Sequence, residues 1–171
     1  DLRRAVLQNE LQIHFQPKVD IRSGSICGAE ALARWQKSDK TWIPPSDFIP
    51  LAEKSGVILT IGNWVLEQTC AQMRTWLDAG LPEVCVALNV SARQFRSGHL
   101  DKLVKVALEK FKIPAHCIEL ELTESMLMHE PDRAIATMYK LKKVGIKLSL
   151  DDFGTGYSNF GYLRRFPIDS L

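Results

Sequence analysis

The sequence predicts an α/β fold with a mostly parallel sheet, because short apolar strands alternate with amphipathic helices along most of the chain. The first two strands are separated only by the turn-forming run Arg22-Ser23-Gly24-Ser25, which favours an antiparallel hairpin at one edge. The composition, 171 residues with 46% hydrophobic and 25% charged side chains, suits one globular domain with a sizeable core. It excludes a disordered tail and a small disulfide scaffold.

Hydrophobic periodicity assigns the elements along the chain. After the hairpin, Ser46 or Asp47 can cap a short helix, and Gly80 is a C-terminal stop for a long one. Pro131 suits the first turn of a later helix, which Gly145 closes. The predicted strands are 11–20, 26–35, 84–90, 118–123, 146–151 and the beginning of another at 168–171. The predicted helices are 1–9, 48–52, 57–79, 100–111, 131–144 and 157–165.

Charge and cysteine content narrow the possible functions. The 22 basic and 20 acidic side chains leave a formal net charge of +2, which gives no general attraction to DNA, RNA or anionic membrane. No apolar run approaches the roughly 18 residues of a membrane span, and the charged N-terminus does not resemble a signal peptide. Free, buried thiols of a cytoplasmic protein, rather than disulfides or a zinc site, are predicted for Cys27, Cys70, Cys85 and Cys117.

Polar side chains recur at the carboxyl ends of successive predicted strands, and they are Glu30, Asn89, Glu121, Glu124, Asp151 and Asp152. Each alone is equally well explained as a rim charge, a helix cap or a turn residue. Together they would place several carboxylates at one edge of a sheet, where divalent cations relieve the repulsion and the cost of burial. Oxygen ligands favour Mg²⁺ or Mn²⁺ over zinc, and adjacent aspartates suit a two-metal site for phosphoryl displacement.

These residues lie within longer motifs. The triplet Glu30-Ala31-Leu32 stands inside the run AEALARW, and the other motifs are FQP at 15–17, FIPLAE at 48–53, IGNWVL at 61–66, LNVS at 88–91, ELELTES at 119–125 and DDFGTGYS at 151–158. In these motifs, residues 8–171 resemble the EAL-domain phosphodiesterases of bacteria, which hydrolyse cyclic di-GMP. The resemblance implies a TIM-like (β/α)8 barrel with an antiparallel first strand, and metal-dependent opening of the cyclic dinucleotide to linear pGpG.

The resemblance also implies roles for individual residues. The implied ligands of a first Mg²⁺ or Mn²⁺ ion are Glu30, Asn89, Glu121 and Asp151. Asp151 would bridge to a second ion that Asp152 also binds. The residues implied to be catalytic are Glu30, Glu124 and Asp152, and Glu124 would hold the loop 153–158 in place. The implied substrate contacts are Gln16, Leu32 and Arg34, and the permanently charged guanidinium of Arg34 suits a phosphate.

Metal-activated water is the expected nucleophile, with no covalent serine or cysteine intermediate. Two alternatives stay open: a catalytically inactive receptor for cyclic di-GMP, and a protein-interaction module acting through the helix around 157–163. The intact triplet and the intact loop after Asp151 favour the enzyme. The family leads us to expect a homodimer of the complete domain, and a sensor or GGDEF-type domain before Asp1 is compatible with the sequence.

The length is short for the implied barrel, which typically takes about 250 residues. Five strands and the beginning of a sixth are counted, so residues 1–171 are expected to be one EAL domain truncated on its C-terminal side. The resemblance implies a Lys directly after Leu171, then a later Glu and a later Gln, as further site residues. The second metal site is therefore expected to be incomplete, and little or no turnover is expected from an inactive fragment of 171 residues.

Overall fold

The computed structural model of the chain describes residues 2–8, 10–152 and 164–171. Within these residues, one mixed sheet is formed by β1 (Leu11–Val19), β2 (Ile26–Gln36), β3 (Trp42–Ile43), β4 (Cys85–Asn89), β5 (Ile118–Thr123) and β6 (Lys147–Asp151). The helices are α1 (Leu2–Leu7), α2 (Pro45–Ser55), α3 (Ile58–Asp78), α4 (Ala92–Arg96), α5 (Leu100–Phe111), α6 (Glu124–Met128) and α7 (Pro131–Val144), with a 3-10 turn at Ala115–Cys117.

The strands follow the order β1-β2-β4-β5-β6, with β3 paired to the free side of part of β2. β1 and β2 are antiparallel, whereas β2, β4, β5 and β6 are parallel. Ser170 pairs with Ser149 of β6 in an isolated parallel bridge, so one residue of the strand predicted at 168–171 is paired with the sheet. The predicted α/β class, a parallel barrel-type sheet with an antiparallel first strand, is confirmed.

A period of two divides the side chains of the parallel strands into two sets. In β5, Ile118, Leu120 and Leu122 are buried, while Glu119 and Glu121 between them are half-buried. The apolar set joins the core that α3, α5 and α7 contribute to through the buried side chains Ile61, Val104 and Met138. Because residues two apart share a face of a strand, the acidic set faces away from this core, toward the interior of the barrel-type sheet.

The helix after the hairpin begins differently from the prediction. Neither Ser46 nor Asp47 caps α2: its N-cap is Pro44, which makes no side-chain hydrogen bond, and Pro45 is the first helical residue. Pro45 has no N–H to satisfy and its fixed φ is already helical, and the N–H of Asp47, the third helical residue, donates to the Pro44 carbonyl at 3.0 Å, so this donor is met without a side-chain cap. The elements β3, α4 and α6 were not predicted, because they are too short to show a periodicity. The helix predicted at 157–165 lies mostly outside the described residues.

The cysteines are free in the part of the chain that the structure describes, as predicted, but not all are buried. Cys70 and Cys117 are buried, Cys85 is half-buried, and Cys27 is exposed. The prediction of burial is wrong for Cys27 because the pairing of β2 with β4 starts only at Gly28, so Cys27 extends beyond the neighbouring strand. In the same described residues, no helix is long and apolar enough to cross a membrane.

A close contact between α3 and α4 fixes the direction of the chain after β4. Ser91 and Gln94 form a capping box, in which Gln94 N donates to Ser91 Oγ and the Gln94 side chain accepts from Ser91 N at 3.2 Å. The Gln94 amide lies directly against Gly62 of α3, where an added Cβ would overlap it. Gly62 is therefore required by close packing, although glycine in a helix costs about 1 kcal/mol relative to alanine.

The final described segment is fastened to β6 by Asp169. Its carboxylate accepts hydrogen bonds from Lys142 Nζ at 2.7 Å and from Leu148 N at 2.7 Å. Its own N–H donates to the Leu148 carbonyl at 2.8 Å. Burial alone would raise the pKa of Asp169, but the bonds from Lys142 and Leu148 outweigh it and hold the pKa below its ordinary value. The ionised carboxylate thus stabilises the fold.

Substitution of Gly62 by alanine is expected to lower the free energy of unfolding by about 1 kcal/mol. Helix propensity would contribute a gain of about 1 kcal/mol, but displacing Gln94 opens the capping box and strains the contact, at a cost of about 2 kcal/mol. Denaturant unfolding measures the difference. In a Gln94→Ala background the amide is gone, so Gly62→Ala should stabilise by about 1 kcal/mol. A destabilisation that persists in that background would contradict the packing argument.

Asp169→Asn is expected to destabilise the protein at neutral pH by about 1 kcal/mol, because a charge-assisted bond is lost at a site partly open to solvent. A lowered pKa means that the carboxylate stabilises above its ordinary value of 3.8 and loses this effect as the pH falls through the folded value. The difference between the two proteins should therefore shrink in acid unfolding experiments. Asp132→Asn is the control, since Asp132 pairs with Arg165 at the exposed surface and should change stability little.

Candidate functional site

The register of the parallel strands places the predicted metal ligands at one end of the sheet. Asn89, the last residue of β4, is paired with Glu121 of β5. Glu30 of β2 is paired with the residue two before Asn89, and Asp151 of β6 is paired with the residue two after Glu121. Since residues two apart share a face, the four side chains lie on one face, near the carboxyl ends of their strands.

Glu30 and Asn89 are in direct contact. Nδ2 of Asn89 donates a hydrogen bond of 2.7 Å to Oε1 of Glu30, across a sequence separation of 59 residues. The bond uses the nitrogen of the amide and leaves the amide oxygen, the atom through which asparagine binds cations, out of the contact. The hydrogen bond thus holds Glu30 and Asn89 side by side, and each side chain has an oxygen atom that could bind a metal ion.

Glu121 lies among other negative charges. Burial is the largest of the effects that raise its pKa above the ordinary value, and the charges of Glu30 and Asp151 raise the pKa further. The hydrogen bond and the charge of Lys18 oppose this rise without cancelling it. A carboxylate whose charge is disfavoured by burial and by two like charges is one that a divalent cation would stabilise.

Lys18 is a member of this site that the sequence reasoning missed. Its Nζ lies 2.8 Å from Oε1 of Glu121 and 3.3 Å from Oε1 of Glu119. Burial alone would lower the pKa of Lys18, but the hydrogen bonds and charges of the two glutamates raise it. A signal was available in the sequence: Lys18 is two residues after Gln16, which pairs with Glu30, so it shares the face of Gln16.

Asp151 and Asp152 end β6 at the open edge of the site, and both are exposed. Asp152 adopts a left-handed backbone conformation with φ of 56°, and its N–H donates a hydrogen bond of 2.8 Å to Oδ1 of Asp151. The two adjacent carboxylates thus belong to the last residue of β6 and to the residue directly after it.

The predicted substrate residues lie on the β1–β2 side of these ligands. Gln16 is exposed and is paired with Glu30 across the hairpin. Leu32 and Arg34 follow Glu30 on the same face of β2 and line a cleft of about 520 Å³ that reaches Asn89. The Arg34 side chain is half-buried, and its Nη1 donates to the preceding backbone carbonyl at 3.0 Å.

Glu124 follows the strand that carries Glu121. It is the first residue of α6, directly after β5, and only 4% of it is exposed. Its predicted partner, the loop 153–158, lies outside the described residues. Burial of a carboxylate behind a strand end fits the predicted role of holding a loop, rather than one of binding substrate directly.

A hard divalent cation fits the donor set of the cluster. Every donor is an oxygen atom of a carboxylate or an amide, which is the ligand type that Mg²⁺ and Mn²⁺ prefer. Burial, together with the smaller effect of the charges of Glu30 and Asp151, raises the pKa of Glu121 and gives a physical reason for a cation at this place. The cluster can thus hold a metal ion beside a cleft that is open to a small ligand.

Comparison with known proteins identifies the family of the chain. Residues 1–171 match the EAL domain family. The bifunctional diguanylate cyclase/cyclic di-GMP phosphodiesterase MucR of Pseudomonas aeruginosa is 44% identical over 172 residues, which cover 100% of this chain and 25% of that protein. The cyclic di-GMP phosphodiesterase PdeR of Escherichia coli is 40% identical over 171 residues, covering 100% of this chain and 26% of that protein. The chain thus spans about a quarter of the length of these curated relatives.

Solved structures share the fold. The PaMucR phosphodiesterase in complex with cyclic di-GMP superposes with a TM-score of 0.94 at 43% identity, over 99% of this chain and 68% of that one. The FimX EAL domain from Pseudomonas aeruginosa, bound to cyclic di-GMP, has a TM-score of 0.86 over 98% of this chain and 67% of that one. At 18% identity, FimX bears on the fold alone. Because both the sequence match and the PaMucR superposition run from one end of the chain to the other, it belongs to the EAL domain family.

Proposed function

We propose that this chain forms the metal-binding part of a phosphodiesterase that opens cyclic di-GMP to linear pGpG. The observation that supports the proposal is the strand register, which sets Glu30, Asn89, Glu121 and Asp151 on one face of the sheet, where burial and the charges of Glu30 and Asp151 raise the pKa of Glu121. The names of the relatives MucR and PdeR, and the cyclic di-GMP in the PaMucR structure, support the choice of substrate.

Mg²⁺ or Mn²⁺ would be held by oxygen atoms of this cluster. Glu30, Asn89, Glu121 and Asp151 would hold a first ion, and Asp151 together with Asp152 would hold a second. Bound divalent ions neutralise a phosphodiester and make water a stronger nucleophile.

The residues of the chain itself orient the substrate. The guanidinium of Arg34 pairs with a phosphate, for which its planar fork is suited. Gln16 offers an amide beside Glu30, and Leu32 supplies an apolar wall of the cleft. Glu124 holds the loop 153–158, and Lys18 keeps the carboxylate of Glu121 in position through its 2.8 Å bond.

Incubation of the full-length protein with cyclic di-GMP and Mn²⁺, followed by chromatography, tests the function. We expect linear pGpG, and we expect its formation to stop when a chelator removes the metal. Tight binding of cyclic di-GMP without turnover, with metal present, would assign the receptor function instead. Neither binding nor turnover would refute the proposal altogether.

Glu30→Gln is expected to reduce turnover of the full-length protein by about 100-fold or more, because a first ligand of the metal loses its charge. The amide retains the volume of the carboxylate, so the fold should survive. The affinity of the 171-residue chain for Mn²⁺, measured by calorimetry, should fall by about tenfold or more.

The matched control for this substitution is Glu109→Gln. Glu109 is an exposed residue of α5 that pairs with Lys105 at 3.8 Å, far from the cluster in sequence and on the outer layer. It should leave both the Mn²⁺ affinity and the turnover unchanged. If Glu30→Gln behaved like this control, the assignment of Glu30 as a metal ligand would be wrong.

Lys18→Met is expected to lower the free energy of unfolding of the metal-free protein by about 1 kcal/mol, because Glu121 and Glu119 lose a charge-assisted bond at a partly exposed site. A metal cation replaces the missing ammonium charge. Addition of Mn²⁺ should therefore raise the melting temperature of this variant more than that of the natural protein.

Lys110→Met is the control for this substitution. Lys110 pairs with Glu67 at 3.2 Å on the protein surface, where both side chains are about half exposed. Its loss should neither destabilise the protein measurably nor change the effect of Mn²⁺. An equal Mn²⁺ response in all three proteins would show that Lys18 and the metal ion do not share a site.

A further inference from the structure

A second group of metal-binding side chains lies at the opposite end of the sheet. Glu83 comes two residues before β4, and His116 and Cys117 end the 3-10 turn that leads into β5. β4 and β5 are parallel neighbours with Val86 opposite Ile118, so both approaches to the strands meet at their amino ends. The oxygen cluster lies at the carboxyl ends of the same two strands, three residues or about 10 Å further along.

The three side chains are already close to one another. Nε2 of His116 lies 3.1 Å from Oε2 of Glu83, and Sγ of Cys117 lies 3.9 Å from the same oxygen. One nitrogen, one sulfur and one oxygen atom all lie within 4.8 Å of each other. Tetrahedral zinc, with bonds of about 2.0–2.3 Å, keeps its ligand atoms roughly 3.4–3.6 Å apart. The His116–Glu83 distance is a few tenths of an ångström shorter than this spacing and the Cys117–Glu83 distance a few tenths longer, so small side-chain shifts would match the geometry.

The burial of the group suits capture of an ion from solvent. The side chains of His116 and Glu83 are 65% and 51% exposed, whereas Cys117 is 3% exposed and lies beneath them. An exposed histidine–glutamate contact by itself contributes little to stability. Here the buried sulfur of Cys117 also lies beside the carboxylate of Glu83, whereas an ordinary surface ion pair has no such third group.

We propose that Glu83, His116 and Cys117 bind a zinc-class divalent cation, with water as the fourth ligand. A thiolate and an imidazole prefer zinc to magnesium, whereas the carboxylates and amide at the other end prefer magnesium or manganese. The two ends of the same pair of strands thus differ in the metal that they select. The bound ion ties the segment before β4 to the segment before β5, across a sequence separation of 33 residues.

The binding step is balanced by the release of one proton. Burial, and secondly the charge of Glu83, raise the pKa of the Cys117 thiol to about 11, so the thiol is protonated in the metal-free protein. The sulfur–metal bond forms as the S–H bond breaks, and the proton leaves to solvent. Glu83 contributes an ionised carboxylate. In the neutral imidazole the hydrogen that Nε2 shares with Glu83 passes through solvent to Nδ1, which frees the Nε2 lone pair of His116 for the ion without a second net proton release.

Titration of the 171-residue protein with Co²⁺, in the presence of excess Mg²⁺ to fill the oxygen cluster, tests the proposal. A cobalt–thiolate bond gives a charge-transfer band in the near ultraviolet, which carboxylate ligands do not give. We expect this band in the natural protein, its reversal by added Zn²⁺, and its loss in Cys117→Ser. His116→Ala should weaken Co²⁺ binding by about tenfold or more.

Two matched variants serve as controls. Cys27→Ser removes an exposed thiol, and His129→Ala removes the histidine of another exposed pair, which lies 3.8 Å from Glu130 without a cysteine. Both should leave the band and the affinity unchanged. His116 and Glu83 are exposed, so His116→Ala and Glu83→Gln keep the test decisive even if Cys117→Ser does not fold.

Three results would overturn the proposal: absence of the band in the natural protein, a band that survives Cys117→Ser, or a band that disappears in Cys27→Ser. None of them bears on the proposed hydrolysis of cyclic di-GMP, because the two sites use different residues. Loss of turnover in Glu30→Gln with an intact cobalt band would, conversely, separate the oxygen cluster from this second site.

Discussion

Three parallel strands, β2, β5 and β6, carry acidic side chains on one face of the sheet, and the balance of that negative charge governs the rest of the site. The alternation in β5 shows the cause: Ile118, Leu120 and Leu122 must face the helices, so Glu119 and Glu121 must face the other way. The gain from burying the apolar set, about 2 kcal/mol for each large side chain, outweighs the strain among the charges. The fold thus holds unbalanced negative charge near the ends of its strands, where a cation would stabilise it.

In the metal-free protein, Lys18 balances part of this negative charge. Its ammonium group bonds to Glu121 and Glu119, but the pKa of Glu121 remains raised, so one positive charge does not neutralise the cluster. A single ammonium also reaches the cluster from one side only, from β1. A divalent cation has twice the charge and accepts several oxygen ligands at once. We therefore interpret Lys18 as a positive charge that partly balances Glu121 in the metal-free protein and is compatible with metal binding.

The same two strands carry different chemistry at their two ends. Asn89 and Glu121 stand at the carboxyl ends of β4 and β5, beside a cleft lined by Arg34. At the amino ends, the approach to each strand brings Glu83 to the His116–Cys117 turn. Parallel pairing makes β4 and β5 neighbours at their amino ends as well as at their carboxyl ends, because one register sets every contact along the two strands. The register that sets Asn89 beside Glu121 at one end therefore also sets Glu83 beside the His116–Cys117 turn at the other.

The sequence by itself determined the class of the fold, the approximate bounds of the longer helices and strands, and the identity of the residues proposed as metal ligands. These follow from local signals: a period of two or 3.6, a proline or glycine at a helix end, and motifs such as Glu30-Ala31-Leu32. The placement of Glu30, Asn89, Glu121 and Asp151 on one face could be predicted because strand ends align in a parallel sheet. Their roles as ligands stay predictions.

Only the tertiary structure decided which distant side chains meet. Lys18 contacts Glu121 across 103 residues, and Gly62 must lack a side chain because Gln94 occupies its place. The exposure of Cys27 depends likewise on where the neighbouring strand begins rather than on local pattern. Such contacts depend on strand register and on helix packing between segments remote in sequence. No periodicity in the chain encodes these distances, because they are set only when the whole sheet has formed.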